Sequence, residues 1–224
     1  TRNRWRLLRR TLSGALRQES VSLEVIVVDD CSTDETALEL ARLTDPRVRV
    51  FRNAERRGVA AARNRALEAA SGTWTAFLDD DDLWAPSKLH AVLGMACRTS
   101  GARWAYSAAA VVNDATEMLQ LSPAPDPETI DEALLTRNAV PGGCSNVVAE
   151  TSLVHEVGGF DTQLSLLADW DLWIRLALAA PAAASPEPLV AYVRHPGSMV
   201  SRGRQDVRRE VDRLVAKHRT QAAE

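Results

Sequence analysis

The chain is short of several things whose absence narrows the reading. Its three cysteines, Cys31, Cys97 and Cys144, are odd in number, widely separated and never spaced as CxxC. Neither a disulfide framework nor a cysteine-based zinc site is indicated, and a reducing, cytoplasmic location fits best. No uninterrupted apolar run approaches membrane-spanning length and no secretory signal is visible, so any membrane contact is expected to be peripheral. Charge of one sign is also missing. A net charge of −3 and a pI near 5.9 give no electrostatic case for nucleic-acid binding. The N-terminal arginines (Arg2, Arg4, Arg6, Arg9, Arg10) are the local exception, but Leu8, Leu12, Ala15 and Leu16 among them fall at helical spacing, which makes the arginines the solvated face of a helix. Internal repeats and low-complexity segments are absent.

What remains is ordinary soluble-protein composition, 46% hydrophobic and 25% charged over 224 residues, enough for one large α/β domain with a sizeable core. Elements alternate along the first half. LEVIVV (Leu23 to Val28) is a β-branched run, and Ser32 and Glu35 are spaced as a capping box for a helix over STDETALELARL. RVRVF (Arg47 to Phe51) reads as a strand, GVAAARNRALEAAS as an Ala-rich helix and TWTAFL (Thr73 to Leu78) as a third strand, with Pro86 in the first turn of the next helix. Such alternation predicts a mostly parallel, Rossmann-like sheet flanked by helices, with ligands at the carboxyl ends of the strands.

The second half is less regular. RWAYSAAAVV reads as a strand, Ser122 to Thr129 as a Pro-rich surface connection, ADWDLWIRLAL as a helix with Leu172, Trp173, Leu176 and Ala180 inward, PLVAYVRH as a late strand and Val207 to His218 as a terminal helix.

Two acidic pieces sit at predicted strand ends, Asp29-Asp30 and the run Asp79 to Asp82. Four adjacent carboxylates repel one another and resist joint ionisation unless a cation or a hydrogen-bond network compensates, and a divalent metal would do so. Alternation along extended chain sends Asp79 and Asp81 one way and Asp80 and Asp82 the other, so one ion cannot recruit all four equally.

VVDDCSTDET, GVAAARNRALEAASGTWTAFLDDDDLWAP, VGGFD and ADWDLWIRL occur in the order and rough spacing of the family 2 glycosyltransferases with the GT-A fold, and the chain resembles that family over most of its length. The resemblance implies inverting, metal-assisted transfer of a sugar from a nucleoside-diphosphate sugar to an acceptor hydroxyl. It divides the single domain into a nucleotide-sugar-binding half, 1–107, and an acceptor-binding half that carries the catalytic base, 108–224.

Residue by residue, the DxD motif of the family falls on Asp79, Asp80 and Asp81. Asp81 is then the expected ligand of Mg²⁺ or Mn²⁺, Asp80 lies near the ribose or metal, and Asp79 is on the donor side. Asp82 is left to cap the helix begun near Pro86. Asp30 matches the carboxylate that accepts from the donor's base, Asp29 supports its loop, and a helix-capping role for one of the two stays open. Arg63 and Asn64 match a pair near the donor, where Arg63 either touches it or pairs with the strand-end carboxylates. TRNR resembles the tail of a turn that follows a first strand, which puts Thr1 beside the donor and leads us to expect that strand upstream of Thr1. YVRHPGSMVS matches a region that closes over the diphosphate, making His195 a candidate metal ligand and Arg194 and Arg202 candidate phosphate contacts.

Asp169 aligns with the second member of the family's acidic pair, the general base; the first member is Ala168 here, a departure that removes a neighbouring charge. Asp171 lies four residues before Arg175, a spacing suited to a structural ion pair. The acceptor, whether a glycan, a lipid-linked sugar, a peptide or a small molecule, is expected to be selected by the variable segment Ala109 to Asn146. Three other readings were weighed. A nucleotidyltransferase shares a related fold, but ADWDLWIRL argues against it. Intact acidic motifs argue against a noncatalytic sugar-binding module, and the missing Gln-x-x-Arg-Trp motif argues against a processive synthase.

Overall fold

The computed structural model describes residues 1–195 and 204–219, with backbone alone for 204–206. The Arg202 expectation lies outside the described residues. The first helix, α1 (Trp5–Ala15), buries Leu8, Leu12 and Ala15 against Val27 and Leu40, with Leu16 half-buried at the edge of the stripe. Each such leucine contributes about 1.5–3 kcal/mol by leaving water. β1 (Val25–Asp29) pairs in parallel with β2 (Val48–Arg52), and α3 (Val59–Ala69) packs on β1. Between the two strands lies α2 (Thr36–Ala41). No capping box forms there: the Ser32 hydroxyl accepts from the Asn3 amide, and the helix opens on an Asp34 turn that accepts from Thr36 N at 2.9 Å.

The larger sheet has six strands in the order β3 (Trp74–Ala76), β7 (Val148–Glu150), β5 (Trp104–Asn113), β8 (Ala182–Arg194), β4 (Leu83–Trp84), with β6 (Met118–Ser122) also paired to β5. Parallel pairing holds for β1 with β2 and for β5 with β8, whereas β3–β7, β5–β7, β4–β8 and β5–β6 are antiparallel. The six-stranded sheet is therefore mixed: its longest pairing, β5 with β8, is parallel across three helices (Ile130–Thr136, Thr151–Glu156 and Ala168–Ala179), while β6 returns antiparallel through a turn and the short strands β3, β4 and β7 pair antiparallel at its sides. β5 runs across positions 107 and 108, so the two predicted halves share one sheet. α4 (Lys88–Arg98) starts with Ser87 at its N-cap, and Pro86 stands before the helix rather than in its first turn.

The main core is centred on α7 (Ala168–Ala179), where Leu172, Trp173 and Leu176 are fully buried as predicted, against Phe77 and Phe160. α5 (Ile130–Thr136), α6 (Thr151–Glu156) and α8 (Arg204–His218) surround it. One edge of β1 and one edge of β3 carry no strand among the described residues, and both line a common cavity of about 1200 Å³. At its upper end Thr1 N donates to Val28 O at 2.8 Å and Asp30 N donates to Thr1 O at 2.9 Å. That is the bonding pattern of one rung of a parallel ladder.

Candidate active site

Four chain segments meet at this cavity: the end of β1, the loop after β3, the end of β8 and the first turn of α7. Asp30 leaves β1 and is held by three donors, Asn53 Nδ2 at 2.8 Å, Arg57 N at 2.8 Å and Gly58 N at 2.9 Å. Burial works to raise its pKa, but these hydrogen bonds outweigh it and the group stays below the usual carboxylate range. Asp29 is buried and accepts from Ser32 N at 3.0 Å, the loop-supporting part expected of it.

The four carboxylates after β3 do not alternate in the 79/81 and 80/82 pairs expected of extended chain, because the segment turns at Asp80 and Asp81. Asp79 pairs with Arg63 from α3. Asp80 and Asp81 share one guanidinium: Arg4 Nη1 lies 3.0 Å from Asp80 Oδ1 and 3.0 Å from Asp81 Oδ2. Asp81 Oδ2 is also 2.9 Å from Nε2 of His195, at the end of β8. Burial pushes the Asp81 carboxyl up, helped by Asp79 and Asp80, while His195 and Arg4 pull it back.

Asp82 does not cap α4. It turns inward, is 1% exposed, and accepts from Ser145 Oγ at 2.5 Å and Val193 N at 2.9 Å. Burial drives its pKa well up. The fourth carboxylate thus ties the acidic loop to β8 and to the 3₁₀ turn Gly143–Asn146, whose Ser145 hydroxyl also accepts from Asp79 N at 3.0 Å.

Asp169 stands in the first turn of α7. Its Oδ1 accepts from Trp170 N at 2.7 Å, and Asn138 from the loop after α5 also hydrogen-bonds the side chain. Burial raises its pKa and the charge of Arg63 opposes the rise. Gly143 leaves room here: its φ is +57°, and a Cβ on it would lie 3.6 Å from Asp169 Oδ2. Gly142, at φ +74°, is obligatory on steric grounds, since a Cβ would come within 3.1 Å of the Ala109 methyl. Arg63 connects the two carboxylate groups electrostatically, bonding Asp79 while its field reaches Asp169.

The structure therefore brings Thr1, Asp30, Arg63, Asp79, Asp80, Asp81 and Asp169 to one cavity, joined there by Arg194, with His195 in contact through Asp81. Asn64 is not among its walls. Its amide exchanges two 2.8 Å hydrogen bonds with the Phe160 backbone and so pins the VGGFD turn to α3. Asp171 is fully buried and paired with Arg175 at 2.6 Å, as its spacing predicted. Arg4 and Ser145 were missed. Neither had a sequence signal beyond proximity to the TRNR turn in one case and to a Gly-Gly pair in the other.

A divalent cation can be fitted to these side chains. Asp81 and His195 present one anionic oxygen and one imidazole nitrogen within 2.9 Å of each other, a donor pair that Mn²⁺ or Mg²⁺ completes with phosphate oxygens rather than with a protein cage. No cluster of three or more carboxylate, imidazole or thiol groups that could hold a metal ion occurs among the described residues.

Comparison with known proteins places this mixed sheet, with its acidic strand ends and facing carboxylate on a helix, in a known family. The model of the family described as glycosyl transferase family 2 matches residues 1–123. The chain belongs to the family 2 glycosyltransferases. Succinoglycan biosynthesis protein ExoO of Rhizobium meliloti (strain 1021) is 33% identical over 196 residues, 83% of this chain and 56% of that protein. The Escherichia coli UDP-Glc:alpha-D-GlcNAc-diphosphoundecaprenol beta-1,3-glucosyltransferase WfgD is 29% identical, over 74% of this chain and 62% of its own. Among solved structures, S. aureus TarS 1-349 in complex with UDP-GlcNAc matches with a TM-score of 0.73 at 19% identity, covering 88% of this chain and 57% of that one. Mannosyltransferase PcManGT from Pyrobaculum calidifontis, in complex with GDP-Man and Mn2+, matches with a TM-score of 0.67 at 22% identity over all of this chain and 62% of its own. The fold is GT-A. The chain spans little more than half the length of these relatives.

Proposed function

We propose that this chain is the transferase domain of an inverting, metal-assisted glycosyltransferase that moves a sugar from a nucleoside-diphosphate sugar to a hydroxyl of a glycan or lipid-linked acceptor. The observation that carries the reading is the convergence of Asp79, Asp80 and Asp81 with Asp169 on one cavity, bridged by Arg63. In this reading 1–107 holds the nucleotide sugar and 108–224 presents the acceptor and the base. Asp30 and Thr1 face the nucleoside, with the spare lone pairs of Asp30 accepting from an imide or amino group of the base. Arg63 sets the charge balance between the donor side and Asp169. Asp80 and Arg4 orient the donor next to Asp81, and Asp81 and His195 would hold Mg²⁺ or Mn²⁺. The bound cation supplies Lewis-acid stabilisation of the leaving diphosphate.

Asp169 takes the acceptor proton as the hydroxyl attacks. Its raised pKa strengthens it as a base and moves the acidic limb of the rate profile upward from that of an ordinary aspartate, so turnover rises with pH through that limb. The three free cysteines accord with a cytoplasmic site of action, and the lipid-linked acceptor class is suggested by the activity for which the relative WfgD is named.

Asp169→Asn tests the assignment. It should keep UDP and Mn²⁺ affinity, lose transfer by about 10²–10⁴-fold, and be no less stable at pH 7.5, because a buried charge has been removed. Near-normal turnover, or a product of retained anomeric configuration, refutes it. The same assay run as donor hydrolysis separates an enzyme from a noncatalytic module.

A further inference from the structure

We propose that Glu210, on the terminal helix α8, is a positioning residue for Asp169, which rests on the assignment of Asp169 as the base. Helix α7 has no cap of its own. Its N-cap is Leu167, and no side-chain cap is present locally, although the first backbone N–H groups of a helix need acceptors. From more than forty residues away, Glu210 supplies an acceptor for the N-cap residue Leu167 and for the two residues that lead into it. Its Oε2 accepts from Leu166 N at 2.8 Å and Leu167 N at 2.9 Å, and its Oε1 accepts from Ser165 N at 2.9 Å and Ser165 Oγ at 2.6 Å. Burial works to raise the pKa of this carboxyl, but the four bonds outweigh it and hold it below its ordinary value. The carboxylate therefore sits, ionised at neutral pH, at the positive end of the helix dipole.

Asp169 is the second residue of that helix. Its direction into the cavity follows from where the first turn begins, and the three residues that Glu210 holds are the ones that set that start. The rest of α8 acts on the same segment. Arg213 Nη1 donates to Gln163 O at 2.6 Å, Lys217 reaches Asp161 at 2.8 Å and Asp171 at 2.9 Å, and His218 Nε2 lies 2.9 Å from Asp171 Oδ1. The apolar share of the docking is small, with Leu214 the α8 residue that joins the main core. α8 thus clamps the approach to α7 mainly by directed polar contacts, with Glu210 bonded to the three residues that lead into the base's turn.

The chain carrying Glu210→Ala should bind UDP with Mn²⁺ as the parent does by calorimetry, while kcat falls on the order of ten- to a hundredfold with KM little changed, the expected cost of a base displaced by about an ångström. Amide exchange at Leu166 and Leu167 should speed up in the same variant. Adding Leu167→Ser to Glu210→Ala, which restores a cap within the helix, should return a substantial part of kcat, a rescue that a general packing defect would not show. If Glu210→Ala has no cooperative thermal transition, Glu210→Gln carries the test: it keeps the shape and one acceptor oxygen, and should lose about three- to tenfold in kcat. A folded Glu210→Ala, or in its place Glu210→Gln, with kcat within twofold of the parent overturns the proposal. So does equal loss in UDP affinity, or failure of Leu167→Ser to rescue. Asp169→Asn keeps the two ideas apart: if it is inactive while Glu210→Ala is normal, only the role of Glu210 fails, whereas an active Asp169→Asn removes the base assignment itself.

Discussion

Lys88 is the least expected buried residue in the molecule, and replacing it by methionine should make stability depend on pH in a definite way. The side chain is fully buried in α4, with Nζ 4.4 Å from the centroid of the Trp84 ring and 3.2 Å from Asn146 O. Burial lowers its pKa to about 7 from 10.5. Between those values the folded state binds fewer protons than the unfolded state, so stability climbs as pH rises from about 7 to 10.5 and the full penalty for burying the charge applies below 7. A shift of that size corresponds to at most about 5 kcal/mol at 1.36 kcal/mol per pKa unit, and the Trp84 face and the Asn146 carbonyl offset part of it. Lys88→Met gives up one hydrogen bond, about 1–2 kcal/mol, and removes the charge. The variant should therefore be more stable than the parent by about 1–3 kcal/mol at pH 6.5, with the difference shrinking by about 3 kcal/mol toward pH 9 and reversing sign near there. Urea denaturation at pH 6.5, 7.5, 8.5 and 9.5, with midpoints compared at constant m, reads this directly. A stability difference that is flat across the series would show that Lys88 stays charged and solvated, and would refute the burial argument.

The remaining expectations concern the acidic loop. Asp81→Ala should weaken the linkage between Mn²⁺ and UDP binding more than any other single carboxylate change; titrations with and without metal check it, and metal-independent binding of equal strength in the parent contradicts it. Asp82→Ala leaves Ser145 Oγ and Val193 N without their buried acceptor and should cost about 2–5 kcal/mol at roughly 1–3 kcal/mol per orphaned group. Asp82→Asn, which keeps an acceptor and no charge, should stay within about 1 kcal/mol of the parent. A cost below about 1 kcal/mol for the alanine variant by chemical denaturation would mean that the loop is held elsewhere.

The elements read correctly from sequence are those whose local signal and tertiary use agree. GVAAARNRALEAAS is helical by propensity and remains so, and α7 buries the residues its periodicity indicated. β8 was recovered only in its second half, from Pro188 onward. Its opening, Ala182 to Pro188, is Ala- and Pro-rich and looks like a helix end or a loop, yet it pairs with β5; the register shifts at Ser107 to Ala109, opposite Pro188, absorb the prolines. β6 was missed because Met118, Leu119 and Leu121 are all exposed, so no inward alternation marks it.

The acidic loop was legible as a cluster, but alternation grouped Asp82 with Asp80, whereas the turn puts Asp80 with Asp81 on Arg4 and leaves Asp82 to a partner that could not be foreseen. Ser145 lies 63 residues away in sequence and is an ordinary serine until the turn delivers it. Arg4 is hidden in the same way, as one of several N-terminal arginines distinguished only by standing at the start of α1.

The rung formed by Thr1 on β1 has a practical consequence. Any residues joined to the amino group of Thr1, including a purification tag, leave from this rung along the edge of β1 that carries no strand among the described residues. The same edge is a template for pairing between molecules. Preparations of this 224-residue chain are better tagged at the other end, and their tendency to associate should respond to what precedes Thr1 more than to any surface charge.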